Sequence, residues 1–532
     1  MPVPWEPVEL SFVGDDRPAE PYTTEQINVQ FEHDSGTTYR IPGFWDGETT
    51  YRVRFAPTKP GHWEWTAEGA APGLSGEGEI EVRLAERAAP LHTHGYLRAK
   101  DRKLVHADGT PCFWLADTAW AASTRATTDE WKRYLDARVE QGFNVVQVNA
   151  LRQHDGSRPH PRLPFGDSWN LTRPDHEYFR HLDRLVEMAH ARGAVTALVA
   201  LWFDYAPGAN VDWVPAERRH EHPPELARAL GRYLGARYGA YGVAWLVSGD
   251  SYMNEKCLAS YRAAGRALGR SCQFPLRTAH QPGGQVTPTI LNDEAWLDFR
   301  MYQSGHTLDI TRPAQQASQS RILEPTRPVI NGEPCYAAMK TYASGSVIDR
   351  ETVRAAGWMS VLSGANAGLT YGALGIWNWH RPGDTFEAAD RWGEPAAWSN
   401  AVALESADDY ARLATIVTSI QVERLDPRPQ ILAEREAGEV AAVTPEAVLV
   451  YLREGRSIQL RDAPPIENAR WIDPATGKER TPTKTLDGRE TGVEEPTFGG
   501  DALFIGYRSN RTLAEANANV GGREDIHQTN VS

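Results

Sequence analysis

Trp245-Leu246-Val247-Ser248-Gly249-Asp250 and Pro328-Val329-Ile330-Asn331-Gly332-Glu333-Pro334 decide the reading of this chain. Each is an apolar run of strand length, broken by a glycine, that ends on a carboxylate. An acid at the C-terminal end of a strand is where a parallel (β/α) barrel carries its chemistry. Two such acids, distant in sequence and joined by barrel closure, are the minimum equipment for cleaving a glycosidic bond.

Working outward, apolar runs alternate with amphipathic stretches from residue 89 to 427, the pattern of successive βα units. Strands are expected at 113–116, 145–149, 195–201, 243–247, 276–279, 299–302 and 329–331, with an eighth at 368–372 or 376–378. Helices are expected at 128–141, 176–192, 224–238, 255–269, 314–323, 351–362 and 400–419, with a turn or short helix at 293–298. Thr128-Asp129-Glu130 before Trp131 and Asp293-Glu294 before Trp296 look like helix starts. Eight strands over about 300 residues fit a TIM barrel. A doubly wound sheet ranks lower, because no Gly-x-Gly-x-x-Gly follows the first strand.

Residues 1–88 alternate with period two, as in Val8–Val13, Tyr51–Phe55 and Gly61–Thr66, and predict an N-terminal β-sandwich. Residues 428–508 return to short strands and predict a C-terminal β-sandwich. The Asn-rich segment 509–532 is expected to be a disordered tail. The fold class is therefore multidomain, a central (β/α)8 barrel between two small β-domains.

Composition narrows the function. A net charge of −14, without a block of Lys or Arg, excludes a nucleic-acid partner. No apolar run reaches the length of a membrane span, and the first residues carry no basic and apolar leader. The expected location is the cytoplasm, or outside the cell if a leader has been removed. The four cysteines, Cys112, Cys257, Cys272 and Cys335, have no metal-type spacing and read as buried thiols. His92-Thr93-His94 has the spacing of a metal pair but precedes the first strand and reads as linker. No metal or other cofactor is implied.

The 18 Trp and 19 Tyr serve packing, and some can also serve as platforms for the C–H faces of sugar rings. Polar and aromatic groups gather at the expected strand ends. They are Asp117 and Trp120 after the first, Asn149 and His154 after the second, Trp202 after the third and His280 after the fifth. Tyr302, Gln303 and His306 follow the sixth, and Trp377 and Trp379 the eighth. Together they form a candidate substrate-binding set, with Asp250 and Glu333 as candidate catalytic acids.

The chain resembles the apiosidase-like glycoside hydrolases. His94–Leu97 through Gly109–Trp120 is similar to the start of that family's barrel, and Gly142–Gln147 to its second strand. The resemblance implies that the Gly-Asp after strand four supplies the general acid/base, here Asp250. It implies that the Gly-Glu-Pro after strand seven supplies the nucleophile, here Glu333. The family commonly reads Gly-Gly-Asp where this chain has Ser248-Gly249-Asp250. Arg470–Gly477 resembles a C-terminal β-domain that carries a collagen-binding label in this family.

The expected activity is that of a retaining, exo-acting glycoside hydrolase on plant or microbial oligosaccharides, with an oligosaccharide or glycoside as substrate and no nucleic-acid or membrane partner; the sequence does not set the oligomeric state. An inverting enzyme and a non-catalytic carbohydrate-binding or adhesin-like protein are the alternatives. Carboxyl groups about 5–5.5 Å apart indicate retention and about 6.5–9.5 Å inversion.

Overall fold

The computed structural model describes residues 1–508 apart from 16–19, 21, 25, 72, 85–88, 154–155, 168–170, 210–221 and 488. The segment 509–532, expected to be a tail, lies outside the described residues.

At the centre is an eight-stranded parallel sheet curled into a nearly closed barrel. In chain order its strands are Trp114–Thr118, Val145–Asn149, Val195–Trp202, Ala244–Gly249, Leu276–Thr278, Arg300–Tyr302, Val329–Asn331 and Gly368–Tyr371. Strands eight and one pair directly, Trp114 opposite Gly368, and Gly368 leaves the space that the Trp114 side chain fills. Strands five and six are not laddered. They are joined instead by Asp298 N–H to Arg277 O at 2.8 Å and Thr278 Oγ1 to Phe299 O at 2.6 Å.

The eighth strand is the first of the two candidates, and residues 376–378 lie in the turn beyond it. The first strand runs to Thr118, past the expected end. The first long helix, Thr128–Glu140, is capped by Thr127 rather than Thr128, in a reciprocal box with Glu130. Residues 293–298 form turns, and the expected helix 400–419 is two pieces, Trp398–Ala401 and Glu405–Ser419.

The N-terminal part consists of two antiparallel sheets, one of three strands and one of four, with Val29, Phe31, Val53, Phe55 and Trp63 buried between them. Their core is continuous with that of the barrel. A buried ion cluster ties the two together. Arg54 of the N-terminal strand Thr50–Phe55 and Arg237 of helix Pro224–Tyr238 both grip Asp183 of helix His176–Ala191 with paired contacts of 2.7–3.1 Å. The two guanidiniums hold the Asp183 carboxyl well below the usual carboxylate range, although burial works against its charge.

The C-terminal part pairs a six-stranded and a three-stranded antiparallel sheet around Trp471 and Phe504. It docks through Arg354 of helix Arg350–Leu362, whose guanidinium binds Asp501 at 2.6 and 2.8 Å and Asp409 at 3.0 Å. Among the described residues no helix is long and apolar enough to cross a membrane. All four cysteines are free, Cys112 partly exposed and the others buried.

Candidate active site

Asp250 immediately follows the fourth barrel strand and Glu333 lies two residues beyond the seventh. Both preceding glycines answer to a neighbouring strand. A Cβ on Gly249 would sit 1.9 Å from the Trp202 ring, and one on Gly332 would sit 2.3 Å from Met301 Cγ. Each glycine lets a side chain of the adjacent strand lie across the strand end that presents the acid. Asp250 itself is left-handed, φ 49°, a conformation that Asp and Asn tolerate and β-branched or bulky residues generally do not.

Glu333 is held from every side. Its Oε1 accepts from Gln303 Nε2 at 2.8 Å and faces His306 Nε2 at 3.1 Å, while Oε2 faces His280 Nε2 at 3.3 Å. His306 Nδ1 accepts the Tyr336 backbone N–H at 3.3 Å, which leaves the proton on Nε2, toward Glu333. The backbone is pinned as well: Gly305 N–H donates to Glu333 O at 3.1 Å, and Gln147 Nε2 to Gly332 O at 3.1 Å. Burial raises the Glu333 carboxyl, but His280 and His306 outweigh it, and the group is held below its ordinary range.

His280, fully buried, stands between the acids, its Nδ1 3.4 Å from Asp250 Oδ1. At 3.3–3.4 Å its two contacts are long for hydrogen bonds and become close ion pairs when the ring is protonated. One ligand-type atom from each of Asp250, His280 and Glu333 falls within 4.8 Å of the others. The two ring nitrogens address different acids, so the trio forms a bridged ion cluster rather than ligands converging on one point.

A cavity of about 430 Å³ opens above the acids. Of the expected binding residues, Trp120, Trp202, Gln303, His306 and Trp377 line it. Asn149 stands behind the wall, its Nδ2 donating to the lining residue Gln153 at 3.0 Å. His280 lies beneath the floor rather than in contact with the cavity. His154 lies outside the described residues.

Three expected residues are placed elsewhere. Asp117 is sealed against Arg138 at 2.6 Å and Tyr134 at 2.9 Å, on the helix side of strand one. Strand one continues to Thr118, and alternation turns Thr118, not Asp117, inward, where it accepts from Gln147 at 3.2 Å. Tyr302 likewise faces outward, donating to Pro313 O at 3.1 Å, while the next residue, Gln303, turns in. Trp379 stacks on Trp398 with centroids 5.0 Å apart and anchors its loop away from the cavity. The pair His92 and His94 is also remote, His94 bonding Asp108 at 2.7 Å.

The cavity also recruits Gln153, from the loop after the second strand, and residues not expected as contacts: Tyr252, Arg312, Tyr336, Met339, Tyr342, Arg391 and Trp392. Tyr336 has a sequence signal, three residues after Glu333, and its ring packs 4.6 Å from His306. Arg391 lies over the Tyr342 and Trp392 rings, at 4.5 and 4.3 Å, in the short helix Ala389–Trp392 beyond the eighth strand, with no strand to announce it.

Residues 98–423 match the family model "Apiosidase-like, catalytic domain". The chain belongs to the apiosidase-like family. Residues 2–70 of this apiosidase-like protein match a second model, a domain of unknown function, DUF5060. No curated protein sequence matches it. Among solved structures, a glycoside hydrolase family 5 protein from Bacteroides vulgatus ATCC 8482 is 24% identical. The match covers 80% of this chain and 96% of that one, with a TM-score of 0.70. A candidate glycoside hydrolase from the same strain is 19% identical over 95% of this chain and 99% of its own, TM-score 0.72. These likenesses show that the chain, from its N-terminal sheets through the barrel to its C-terminal strands, shares its fold with those structures.

The glycine before Asp250 provides a direct test of how the wall is built. Gly249→Ala should displace the Trp202 indole, lowering kcat/KM by up to about 10²-fold and stability by about 1–3 kcal/mol. Unchanged kinetics together with an unmoved Trp202 in a crystal structure of the variant would contradict this packing account.

Proposed function

We propose that the protein is a retaining, exo-acting glycoside hydrolase, with Glu333 as nucleophile and Asp250 as general acid/base. The observation that carries the reading is the spacing of the acids, with oxygens of the two carboxyls within 4.8 Å. That fits the close pair used for retention, about 5–5.5 Å between carboxyls, better than the roughly 6.5–9.5 Å separation of inversion. Support for exo action comes from the cavity. At about 430 Å³ it lies toward the small end of ligand sites, roughly 300–1,000 Å³, and suits a terminal sugar better than a long chain.

Each group is suited to its step. Glu333 is kept ionised by Gln303, His306 and His280, so it can attack the anomeric carbon. Asp250 is less enclosed and faces the cavity, where it can protonate the departing oxygen and later activate water. The surrounding indoles of Trp120, Trp202 and Trp377 offer faces and edges for sugar C–H bonds, with Gln153 and Gln303 for hydroxyls.

Asp250→Asn tests the acid role without disturbing the backbone, since Asn tolerates the left-handed conformation. For an alkyl glycoside kcat/KM should fall by about 10²–10⁴-fold, and for a dinitrophenyl glycoside, whose leaving group needs no proton, far less. Equal losses on both would remove Asp250 from the acid role. A panel of aryl furanosides and pyranosides, followed by NMR of the first-formed anomer, tests the whole reading. Net retention is expected. Inversion, or no hydrolysis across the panel, would overturn it.

A further inference from the structure

We propose that His280 is a positioning residue that serves as the shared counter-ion of the two acids, balancing a negative charge that passes between Glu333 and Asp250 during turnover. The proposal rests on the assignment of those acids given above. His280 does not line the cavity and so acts only through its neighbours. Its two ring nitrogens face different carboxylates, Nδ1 toward Asp250 at 3.4 Å and Nε2 toward Glu333 at 3.3 Å.

The ring is fixed in this pose. Its backbone N–H donates to Ser248 O at 3.1 Å, and Ser248 Oγ reaches the His280 carbonyl at 3.5 Å. Trp120 and Trp202 pack on it at centroid distances of 5.4 and 6.0 Å. Ser248, the residue that departs from the family's usual glycine, therefore helps seat the bridge.

The charge argument follows from the chemistry. At the alkaline pH where His280 titrates, both acids are anions and both hold its charge. In the protonation state that reacts, Glu333 is an anion and Asp250 holds a proton. A Glu333 oxygen forms a bond to the anomeric carbon, and the bond to the leaving oxygen breaks. That oxygen keeps the electron pair and takes the Asp250 proton. Glu333 is then a neutral ester and Asp250 an anion, so the negative charge has crossed the imidazole. When water attacks, its proton goes to Asp250, its oxygen bonds the carbon, and the ester electrons return to Glu333. An imidazolium touching both acids is paired in both states. A neutral imidazole has one N–H and could donate to only one of them. An unpaired buried charge in either state would be costly.

Burial opposes the charge on His280, yet Asp250 and Glu333 together raise it to about 9. Among the described residues, further titratable groups are coupled to the acids themselves. His306 and Tyr336 are on the Glu333 side, and Tyr261, which feels both Asp250 and Asp204, is on the Asp250 side.

The test is ¹⁵N NMR of the full chain labelled in its imidazoles, with no substrate required. Other histidines, the buried His106, His181 and His190 and the half-buried His160 and His176, are shifted down by desolvation and should be neutral at pH 8. One slowly exchanging imidazole with both nitrogens protonated at pH 8 is expected. Asp250→Asn and Glu333→Gln should each lower its titration by about 1 pH unit or more. A neutral ring at pH 8, or a shift in only one of the two variants, overturns the proposal. In His280→Asn, assayed on a 4-nitrophenyl glycoside, the acidic limb of kcat/KM should rise. An unmoved limb would mean a merely structural ring. Residual turnover by the Asp250 and Glu333 variants would instead contradict the assignment of the acids, a separate result from the charge on His280.

Discussion

Glu333→Gln is expected to lower kcat by about 10⁴-fold or more, the scale of losing a covalent nucleophile, while the protein stays folded. The amide keeps the size of the side chain but not its charge or its acceptors. Placed toward Gln303 and His306, the new NH₂ would meet two N–H donors. It is therefore expected on the His280 side, where it faces Nε2 and discourages the imidazolium. The checks are steady-state kinetics with an aryl glycoside and a thermal melt of the same sample. Activity within about tenfold of the parent would end the assignment of Glu333 as nucleophile.

Asp183→Ala is expected to cost about 3–5 kcal/mol of stability, because it strands two buried guanidiniums that share one carboxylate. Arg54 comes from the N-terminal sheets and Arg237 from a barrel helix, so the loss should fall on the junction between them. Some charge remains matched, since Asp46 also contacts Arg237 at 3.0 Å. The pH dependence has a definite sign. The Asp183 carboxyl is depressed in the fold. Its contribution is therefore present in full above the unfolded value of about 3.9, and is lost as the pH falls through the lower folded value. Denaturant titrations at pH 7 and pH 3 check both points. A variant within about 1 kcal/mol of the parent at pH 7 would show that the cluster contributes little there.

The barrel was legible because its strands are buried on both faces and read as apolar runs, as in Val195–Trp202. The two candidate acids stand out in the sequence because each follows such a run and a glycine. Strand-end counting failed for residues whose inward or outward direction depends on one position. Asp117 and Tyr302 are each one residue short of the inward-facing group. A strand boundary displaced by one residue exchanges the two faces, and composition does not set that boundary.

The sequence by itself determined the three-part order of the chain, the eight-strand count and the pairing of Asp250 with Glu333 as the candidate acids. It also determined the glycines, although not their reason, which is the Trp202 and Met301 side chains lying across them. Only the tertiary structure decided that His280 bridges the acids from below and that Arg312, Tyr342, Arg391 and Trp392 complete the cavity. The reason is physical. A strand end is encoded locally, by hydrophobic runs and backbone conformation. The face a histidine presents to two carboxylates, or the wall a long loop contributes, is set by packing between segments far apart in the chain.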